Sequence, residues 1–192
     1  MDDVRVAAVC GSLRDDSYTR LALERALGCA DDLGAETDLI DLRDLDLPVF
    51  DPDREGVPAA EDMTERLRTA DSVLLGSPVY HGSYTSALKN ALDYSGFDEF
   101  ENTTVGLLAV AGGAFPTGPL DHLRLVCRAL NAWVIPHQAA VPQARTEFED
   151  GRITDESLAE RIDVLGRRAV EYANIEPDPR TVEALENKGA GD

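Results

Sequence analysis

Short apolar runs alternate with longer amphipathic stretches along most of this chain. The runs that predict strands are residues 4–10, 36–42, 72–76, 104–111 and 132–135. Helical periodicity covers residues 16–33, 59–69, 83–94, 119–130 and 154–172. Within the strand runs apolar residues do not alternate with polar ones, which is typical of strands buried on both faces of a parallel sheet. The pattern therefore predicts an α/β fold with a doubly wound, five-stranded parallel sheet.

Nothing in the sequence marks a second domain. The 192 residues contain no internal repeat, low-complexity block or linker, and a chain of this length can bury a sizeable core. Residues 43–58 carry three prolines and are predicted to form an extended surface connection. We expect one domain over residues 1–173, followed by a polar tail over residues 174–192 that is frayed or serves as an oligomer arm.

The chain is strongly acidic. It has 37 Asp and Glu residues against 18 Lys and Arg residues, which gives a formal net charge of −19. Nucleic acids and anionic membranes need clustered cations, so neither is an expected partner. The basic residues divide into 16 Arg and 2 Lys, a balance that indicates a halophilic protein whose self-repulsion is screened by salt. An ordinary acidic protein is the alternative.

The three cysteines, Cys10, Cys29 and Cys127, are odd in number and form neither a CxxC motif nor a cluster with histidine. Such a set is typical of reduced thiols in the cytoplasm. The N-terminus lacks the basic and apolar pattern of a leader, and no run approaches the length of a membrane span. The sequence thus predicts a soluble, cytoplasmic protein without a metal site.

The first strand is followed by the segment GSLRDDSYTR, which leads into a helix N-terminus. Free amides and the positive end of a helix dipole favour a phosphate group at such a position. Hydroxyl donors are supplied by Ser12, Ser17 and Thr19. Arg14 adds a guanidinium that fits a phosphate with two hydrogen bonds. The alternative is simple capping by Ser17 or Asp16, and the segment has neither a GxGxxG fingerprint nor a P-loop.

The third strand ends in SPVYHGSYTS, which places two tyrosines and a histidine around a proline and a glycine. This composition predicts a flat, partly rigid wall that suits a planar heteroaromatic ring. A solvent-exposed position is the alternative for His81, and Tyr84 is expected rather to pack under the next helix. Ser86 and Lys89 match the SxxK pattern of penicillin-recognising enzymes without its companion motifs, so an ion pair between Lys89 and Asp93 is favoured.

After the fourth strand, Gly112 and Gly113 let the backbone approach a flat ligand closely, unless they only form a tight turn. The carboxyl ends of parallel strands share one edge of a sheet, so the three segments should converge there. Other catalytic patterns are missing, since HExxH and GxSxG are absent and His81, His122 and His137 are isolated. A response-regulator receiver shares this topology, but its phosphorylated aspartate would end the third strand, where this chain has GSP.

Together the three segments resemble the NADPH-dependent FMN reductase family, which has a flavodoxin-like fold. GSLRDDSYTR is similar to the GSLRxxSxN phosphate loop of that family, and SPVYHGSYTSALKNALDYSG to its loop-and-helix signature. With DLDLPVFDPD and GRITDE, the similarity covers roughly residues 4–172. The resemblance implies that the FMN phosphate is held by Ser12, Arg14, Ser17, Tyr18 and Thr19. It also implies that the isoalloxazine is lined by Pro78, Val79, Tyr80, His81, Gly82, Ser83, Gly112 and Gly113.

The activity implied by this resemblance is FMN-dependent oxidation of NADPH or NADH, with hydride passing to the flavin and then to a second small-molecule acceptor. Acceptors in the family are free flavins, quinones, azo compounds and metal oxyanions. Because the cofactor performs the chemistry, no side chain is predicted as a catalytic acid or base. Reductases of this family usually complete the flavin pocket across a dimer, so we expect a homodimer or homotetramer.

The chain departs from the family pattern in two ways. Thr19 stands where Asn is usual and keeps a shorter donor, while Asp15 and Asp16 place negative charge beside the phosphate site. Two other functions are alternatives: a flavodoxin-like FMN electron carrier that does not oxidise NAD(P)H directly, and a regulatory protein of the same fold that binds no flavin. The phosphate loop differs from the Thr/Ser-Gly-Thr-rich loop of the carriers, which favours the enzyme.

Overall fold

A computed structural model of the chain describes residues 4–175. Five strands within that range form one parallel sheet with the order β2-β1-β3-β4-β5. The strands are β1 (Arg5–Cys10), β2 (Glu36–Asp41), β3 (Ser72–Pro78), β4 (Thr104–Val110) and β5 (Trp133–Val141). The predicted doubly wound α/β sheet is confirmed. Most of the predicted tail, residues 176–192, lies outside the described residues, and the boundary at residue 173 stays a prediction.

Helices cover both faces of this sheet. In chain order they are α1 (Tyr18–Asp31), α2 (Pro58–Arg68), α3 (Ser86–Tyr94), α4 (Phe97–Phe100), α5 (Gly118–Ala129), α6 (Ala144–Glu147) and α7 (Glu156–Glu171). Helices α1 and α7 pack on one face, and α2 to α5 pack on the other. A short antiparallel hairpin of β6 (Phe148–Glu149) and β7 (Arg152–Ile153) lies between α6 and α7. None of the helices found among residues 4–175 is long and apolar enough to cross a membrane.

The central strands owe their uniform apolar character to this two-sided cover. All seven residues of β4 are buried, and β3 is buried up to its last residue, Pro78. Side chains of successive residues point to opposite faces, so both faces need apolar groups when helices lie on each side. The edge strands β2 and β5 are only partly buried, and their sequences are correspondingly more polar.

Strand β5 extends six residues beyond the predicted end at residue 135. Its pairing with β4 shifts register after Val134, so that Leu107 lies opposite Gln138. The bulged residues release backbone carbonyls from the ladder, and the Arg124 guanidinium donates to the Ile135 carbonyl oxygen at 3.2 Å. Because this strand is an edge strand, its polar residues and proline concealed its length from the sequence pattern.

Several helix boundaries also differ from the prediction. Helix α3 begins at Ser86 rather than at residue 83, because Ser83 belongs to a turn. Leu33 was expected on the apolar side of α1 but is exposed, since that helix ends at Asp31 and the chain turns at Gly34. The short elements α4, α6 and the β6–β7 hairpin were not predicted, because they are too brief to show a period.

Helices α1 and α7 cross at very short distance. A Cβ atom added to Gly166 of α7 would lie 2.0 Å from the carbonyl oxygen of Ala26 in α1. The same pair of helices is joined at the surface by two hydrogen bonds of 2.6 Å from the Arg25 guanidinium to the Asp163 carboxylate. This layer is therefore fixed by backbone contact, and it holds α1 in place under the segment that follows β1.

We predict that Gly166→Ala lowers the free energy of unfolding by about 1–3 kcal/mol, because the added methyl group forces the two helices apart. Gly28→Ala is the matched control, since an added Cβ there meets no heavy atom within 4 Å. That variant should gain about 0.5–1 kcal/mol from the better helix propensity of alanine. Urea denaturation followed by circular dichroism measures both, and equal stability of the two variants would contradict the close crossing.

Candidate functional site

The carboxyl ends of β1, β3 and β4 meet at one edge of the sheet and enclose a cavity of about 230 Å³, here called the edge pocket. Strands β1 and β3 are neighbours, while the chain passes from β1 to β2 on the other side, so the pocket lies at the switch point in strand order. The pocket is lined by Ser12, Arg14, Asp16, Tyr18, Thr19, Pro78, Val79, Tyr80, Val110, Ala111, Gly112, Ala144 and Arg145.

The structure brings most of the predicted site residues together. Those that line the edge pocket are Ser12, Arg14, Tyr18, Thr19, Pro78, Val79, Tyr80 and Gly112. Those that do not line it are Ser17, His81, Gly82, Ser83 and Gly113. Three separate segments of the sequence therefore converge at one place, as their positions after parallel strands predict.

Ser17 has a structural task at the start of α1. Its buried hydroxyl accepts a hydrogen bond of 3.1 Å from the Arg20 backbone N–H, which makes it the N-cap. This is the capping role considered as the alternative for Ser17. Ser12, also buried, accepts a long hydrogen bond of 3.5 Å from the Arg14 backbone N–H, so the loop curls around that hydroxyl.

The two aspartates of the loop have different surroundings. Asp15 is exposed and forms an ion pair with Arg43, whose guanidinium also donates to the Leu13 carbonyl oxygen at 2.5 Å. Asp16 lines the edge pocket. The negative charge of Asp15 is thus neutralised away from the pocket, while that of Asp16 remains beside it.

The pocket wall after β3 is a tight turn. Two backbone hydrogen bonds of 3.0 and 3.1 Å join Tyr80 to Ser83, and the residues between them, His81 and Gly82, have φ values of 51° and 79°. Two left-handed central residues define a two-residue hairpin turn, and glycine adopts this conformation at low cost. The turn presents Tyr80 to the pocket and directs His81 to solvent, as the alternative for His81 proposed.

Helix α5 holds the outer side of this turn. The Ser83 hydroxyl and Nδ1 of His122 are 2.9 Å apart, within hydrogen-bond distance. A Cβ atom added to Gly118 would lie 2.6 Å from the Gly82 carbonyl oxygen, so the first residue of α5 touches the turn directly. Ser83 therefore stabilises the wall from behind, although it does not face the cavity.

Buried hydrogen bonds through Thr85 connect the turn to the first loop. The Thr85 hydroxyl donates to the Gly11 carbonyl oxygen at 2.7 Å and accepts from the Leu88 N–H at 3.2 Å, which caps α3. The Thr85 N–H donates to the Ser77 hydroxyl at 3.0 Å. One side chain thus fixes the relative position of two walls of the pocket.

One side of the pocket, formed by the residues after β5, was not predicted from the sequence, and it carries Arg145. Backbone hydrogen bonds of 2.9 Å from Ala144 to Ala111 and from Gln143 to Gly113 continue the pairing of β4 with β5 beyond their last residues. This pairing delivers Arg145 to the pocket. An arginine four residues after the end of β5 was the available signal, but the sequence pattern predicts the end of that strand at residue 135, ten residues before Arg145.

Neither arginine of the edge pocket has a carboxylate partner in the described part of the chain. More than half of the other arginines there do, including the exposed pair of Arg5 with Glu36 and the partly buried pair of Arg66 with Asp38. In a chain with a net charge of −19, two unpaired guanidiniums facing one cavity make a local site for an anion.

Cys10 is the last residue of β1 and lies beneath the loop that follows this strand. Burial raises the pKa of its thiol to about 11, so the thiolate needed for nucleophilic or redox chemistry is scarce at neutral pH. Its sulfur is 4.0 Å from the Ser17 hydroxyl oxygen and packs as a small apolar group. Residues 4–175 also contain no group of His, Cys, Asp and Glu side chains arranged to hold a metal ion.

Known proteins are similar to this chain in sequence and in architecture. A sequence model of the family described as NADPH-dependent FMN reductase matches residues 4–146. The FMN-dependent NADPH-azoreductase of Staphylococcus haemolyticus is 30% identical over 178 residues, which cover 88% of this chain and 95% of that protein.

Solved structures share the fold at lower identity. The flavoenzyme NAD(P)H:(acceptor) oxidoreductase of Paracoccus denitrificans superposes with a TM-score of 0.74 at 21% identity, covering 88% of this chain and 97% of that chain. A flavodoxin from the domain Archaea gives a TM-score of 0.62 at 10% identity, with 88% of this chain and 99% of that chain covered. The fold is therefore flavodoxin-like.

We predict that Thr85→Val lowers the free energy of unfolding by about 1–3 kcal/mol, because the Gly11 carbonyl and the Leu88 N–H lose a buried partner. Thr85→Ser keeps the hydroxyl and should cost less than about 1 kcal/mol. Urea denaturation of both variants measures the difference. If valine were tolerated as well as serine, the hydroxyl would not join the two walls.

Proposed function

Because the chain belongs to the NADPH-dependent FMN reductase family, we propose that the edge pocket is where it binds FMN. The protein is an FMN-dependent NAD(P)H oxidoreductase. When bound, FMN would supply the redox chemistry that links oxidation of a reduced nicotinamide to reduction of a second acceptor. The side chains of the pocket bind and orient, and we assign none of them as a catalytic acid or base.

The observation that carries this proposal is the donor set at one end of the pocket. Ser12 and Thr19 offer hydroxyls there, and Arg14 and Arg145 offer guanidiniums that form no ion pair within the described residues. The start of α1 adds the positive end of a helix dipole. These groups fit the phosphate of FMN. Tyr18 stacks on Phe148 at 4.8 Å between ring centres and supports this end of the pocket.

The other end of the pocket suits a planar ring. Pro78, Val79 and Tyr80 form one wall, and Gly112 forms part of the opposite one. A Cβ atom added to Gly112 would meet no heavy atom within 4 Å, so the glycine leaves space in front of its backbone. Tyr80 remains 52% exposed at the rim, where a nicotinamide or an acceptor would approach the ring.

Asp16 is the residue that fits an anionic cofactor least well. Its carboxylate lines the pocket together with Arg14 and Arg145, so the three side chains carry one net positive charge. We propose that one guanidinium balances Asp16 and that the other remains for the phosphate. This balance keeps the pocket attractive to a single phosphate group in spite of the acidic chain.

We propose that a small molecule accepts the electrons in the second half of the reaction. The chain is similar to an FMN-dependent NADPH-azoreductase over most of its length, which supports azo compounds as one acceptor class. Quinones and free flavins present the same flat ring to the Tyr80 rim, and metal oxyanions are the remaining class. NADPH is favoured as the hydride donor by the family description.

We also propose that the protein works as a homodimer or homotetramer in the cytoplasm. A cavity of about 540 Å³ between the 43–57 connection and α3 has mainly apolar walls, including Leu13 and Leu47. Val49, at its edge, is 84% exposed. A second copy of the chain would cover this surface. The free cysteines support a reducing compartment, and the many carboxylates support function in high salt.

We predict that Arg145→Gln raises the Kd for FMN by about tenfold to a hundredfold, because a charge-assisted hydrogen bond to the phosphate is lost. Arg167→Gln removes the same charge from an exposed position on α7 and should change the Kd by less than about twofold. Quenching of FMN fluorescence on titration with each variant measures the Kd. Equal constants for the two variants would remove Arg145 from the phosphate site.

We predict that the visible absorbance of the bound flavin disappears within the turnover time when the protein is mixed anaerobically with NADPH in a stopped-flow instrument. Addition of an azo compound or a quinone should then restore the absorbance. If the protein binds FMN but neither NADPH nor NADH bleaches the bound flavin, the protein is an electron carrier instead. A preparation that takes up no flavin would contradict the FMN site itself.

We predict that Val49→Asp shifts the mass measured by light scattering toward that of a monomer, because it places a charge in the apolar surface between copies. Leu125→Asp is the matched control, since Leu125 is an exposed leucine on α5 outside that surface. A mass that responds to the second variant and not to the first would place the interface elsewhere.

A further inference from the structure

Another cavity, of about 540 Å³, lies at the opposite edge of the sheet from the edge pocket, where β4 and β5 begin. We call it the amino-edge cavity, and it is lined by Glu101, Asn102, Arg124, Arg128, Asn131, Ala132, Trp133 and Val134. The seven residues of β4 separate it from the edge pocket, which is roughly 20 Å at the usual rise per residue. It is therefore independent of the proposed FMN site.

The charge of the amino-edge cavity differs from that of the chain. Arg124 is bonded to neutral acceptors, donating to Oε1 of Gln138 at 2.9 and 3.0 Å, so its positive charge is not cancelled. Arg128, at the end of α5, is exposed and has no carboxylate partner among residues 4–175. The two arginines and Glu101 together give the cavity one net positive charge, whereas the whole chain has a net charge of −19.

The aromatic wall of the cavity is Trp133, the single tryptophan of the chain, which is 52% exposed. Its backbone N–H donates to the Thr103 carbonyl oxygen at 2.9 Å, and its indole Nε1–H lies 3.4 Å from the Asn102 side-chain oxygen. The backbone of Trp133 and the Nε1–H of its indole are thus both held, while a large apolar surface of the ring remains open to solvent. Such a surface stacks well on another flat ring.

Two asparagines make the floor of the cavity rigid. Asn102 and Asn131 have φ values of 64° and 57°, a left-handed conformation that asparagine tolerates better than most residues. The Asn102 N–H donates to the Asn131 carbonyl oxygen at 3.1 Å, and the Asn131 amide donates to the Glu101 carboxylate at 3.3 Å. The carboxylate is therefore turned toward an amide donor, and the guanidinium of Arg128 remains available to a ligand.

From these features we propose that the amino-edge cavity is a binding site for a planar aromatic carboxylate. The ring would stack on Trp133, and the carboxylate would accept hydrogen bonds from Arg128. Glu101 favours a single negative charge over a multiply charged phosphate. The site would act without contact with the redox centre, because it opens at the other edge of the sheet.

Trp133 fluorescence makes this proposal directly testable. The protein is first saturated with FMN so that the edge pocket is filled, and is then titrated with 2-naphthoate in high salt. We expect a saturable change in tryptophan fluorescence, and a Kd at least tenfold higher for the neutral 2-naphthamide. Arg128→Gln should weaken 2-naphthoate binding at least tenfold, and Arg167→Gln should change it less than twofold.

Calorimetric titration of Trp133→Ala with 2-naphthoate provides a second measurement that does not use the fluorophore. Binding should weaken at least fivefold if the indole is the stacking surface. The proposal is overturned if 2-naphthoate gives no saturable signal, if the amide binds equally well, or if Arg128→Gln and Arg167→Gln behave alike. Loss of FMN binding leaves these readouts interpretable, because the two cavities share no residue.

Discussion

The edge pocket depends on a buried contact between the loop after β1 and the turn after β3. Gly11, directly after β1, lies very close to β3 and α3. Its N–H donates to the carbonyl oxygen of Gly76 in β3 at 2.8 Å, and a Cβ atom added to Gly11 would lie 2.9 Å from Cβ of Leu88 in α3. Thr85 closes the junction by donating to the Gly11 carbonyl. The parallel sheet brings the strand ends to one edge, and this junction determines how far apart the two walls stand. The width of the cavity between them is thus set by close backbone approach at Gly11 and by the hydroxyl of Thr85.

The arginines of this chain differ in their electrostatic surroundings. Several on the helices and edge strands neutralise nearby carboxylates, as Arg25 does for Asp163 and Arg66 for Asp38. Arg145 at the edge pocket and Arg128 at the amino-edge cavity have no such partner in the part of the chain that the structure describes. In a strongly acidic protein, an unpaired guanidinium that faces a cavity is a local exception to the surrounding negative field and marks a place where an anion is less repelled.

Much of the fold was predictable from the sequence, because buried parallel strands leave long apolar runs and amphipathic helices leave a regular period. The site was partly predictable, since Ser12, Arg14 and Tyr80 stand directly after strands that the pattern identified. Arg145 was missed because the edge strand before it is polar and bulged. The capping role of Ser17 and the supporting role of Ser83 depend on contacts with Arg20 and His122, which local sequence does not reveal.

The bulge in β5 has a consequence for how copies of this protein can meet. An exposed edge strand normally offers free carbonyls and N–H groups on which a foreign strand can build. Here Pro136 lacks an N–H, and Arg124 reaches the carbonyls of Ile135 and Pro136 at 3.2 and 3.4 Å. Continuation of the sheet from one molecule to the next is thereby discouraged along this border. Protection against strand-by-strand association is in this way built into the strand itself, in addition to the repulsion that the acidic surface provides.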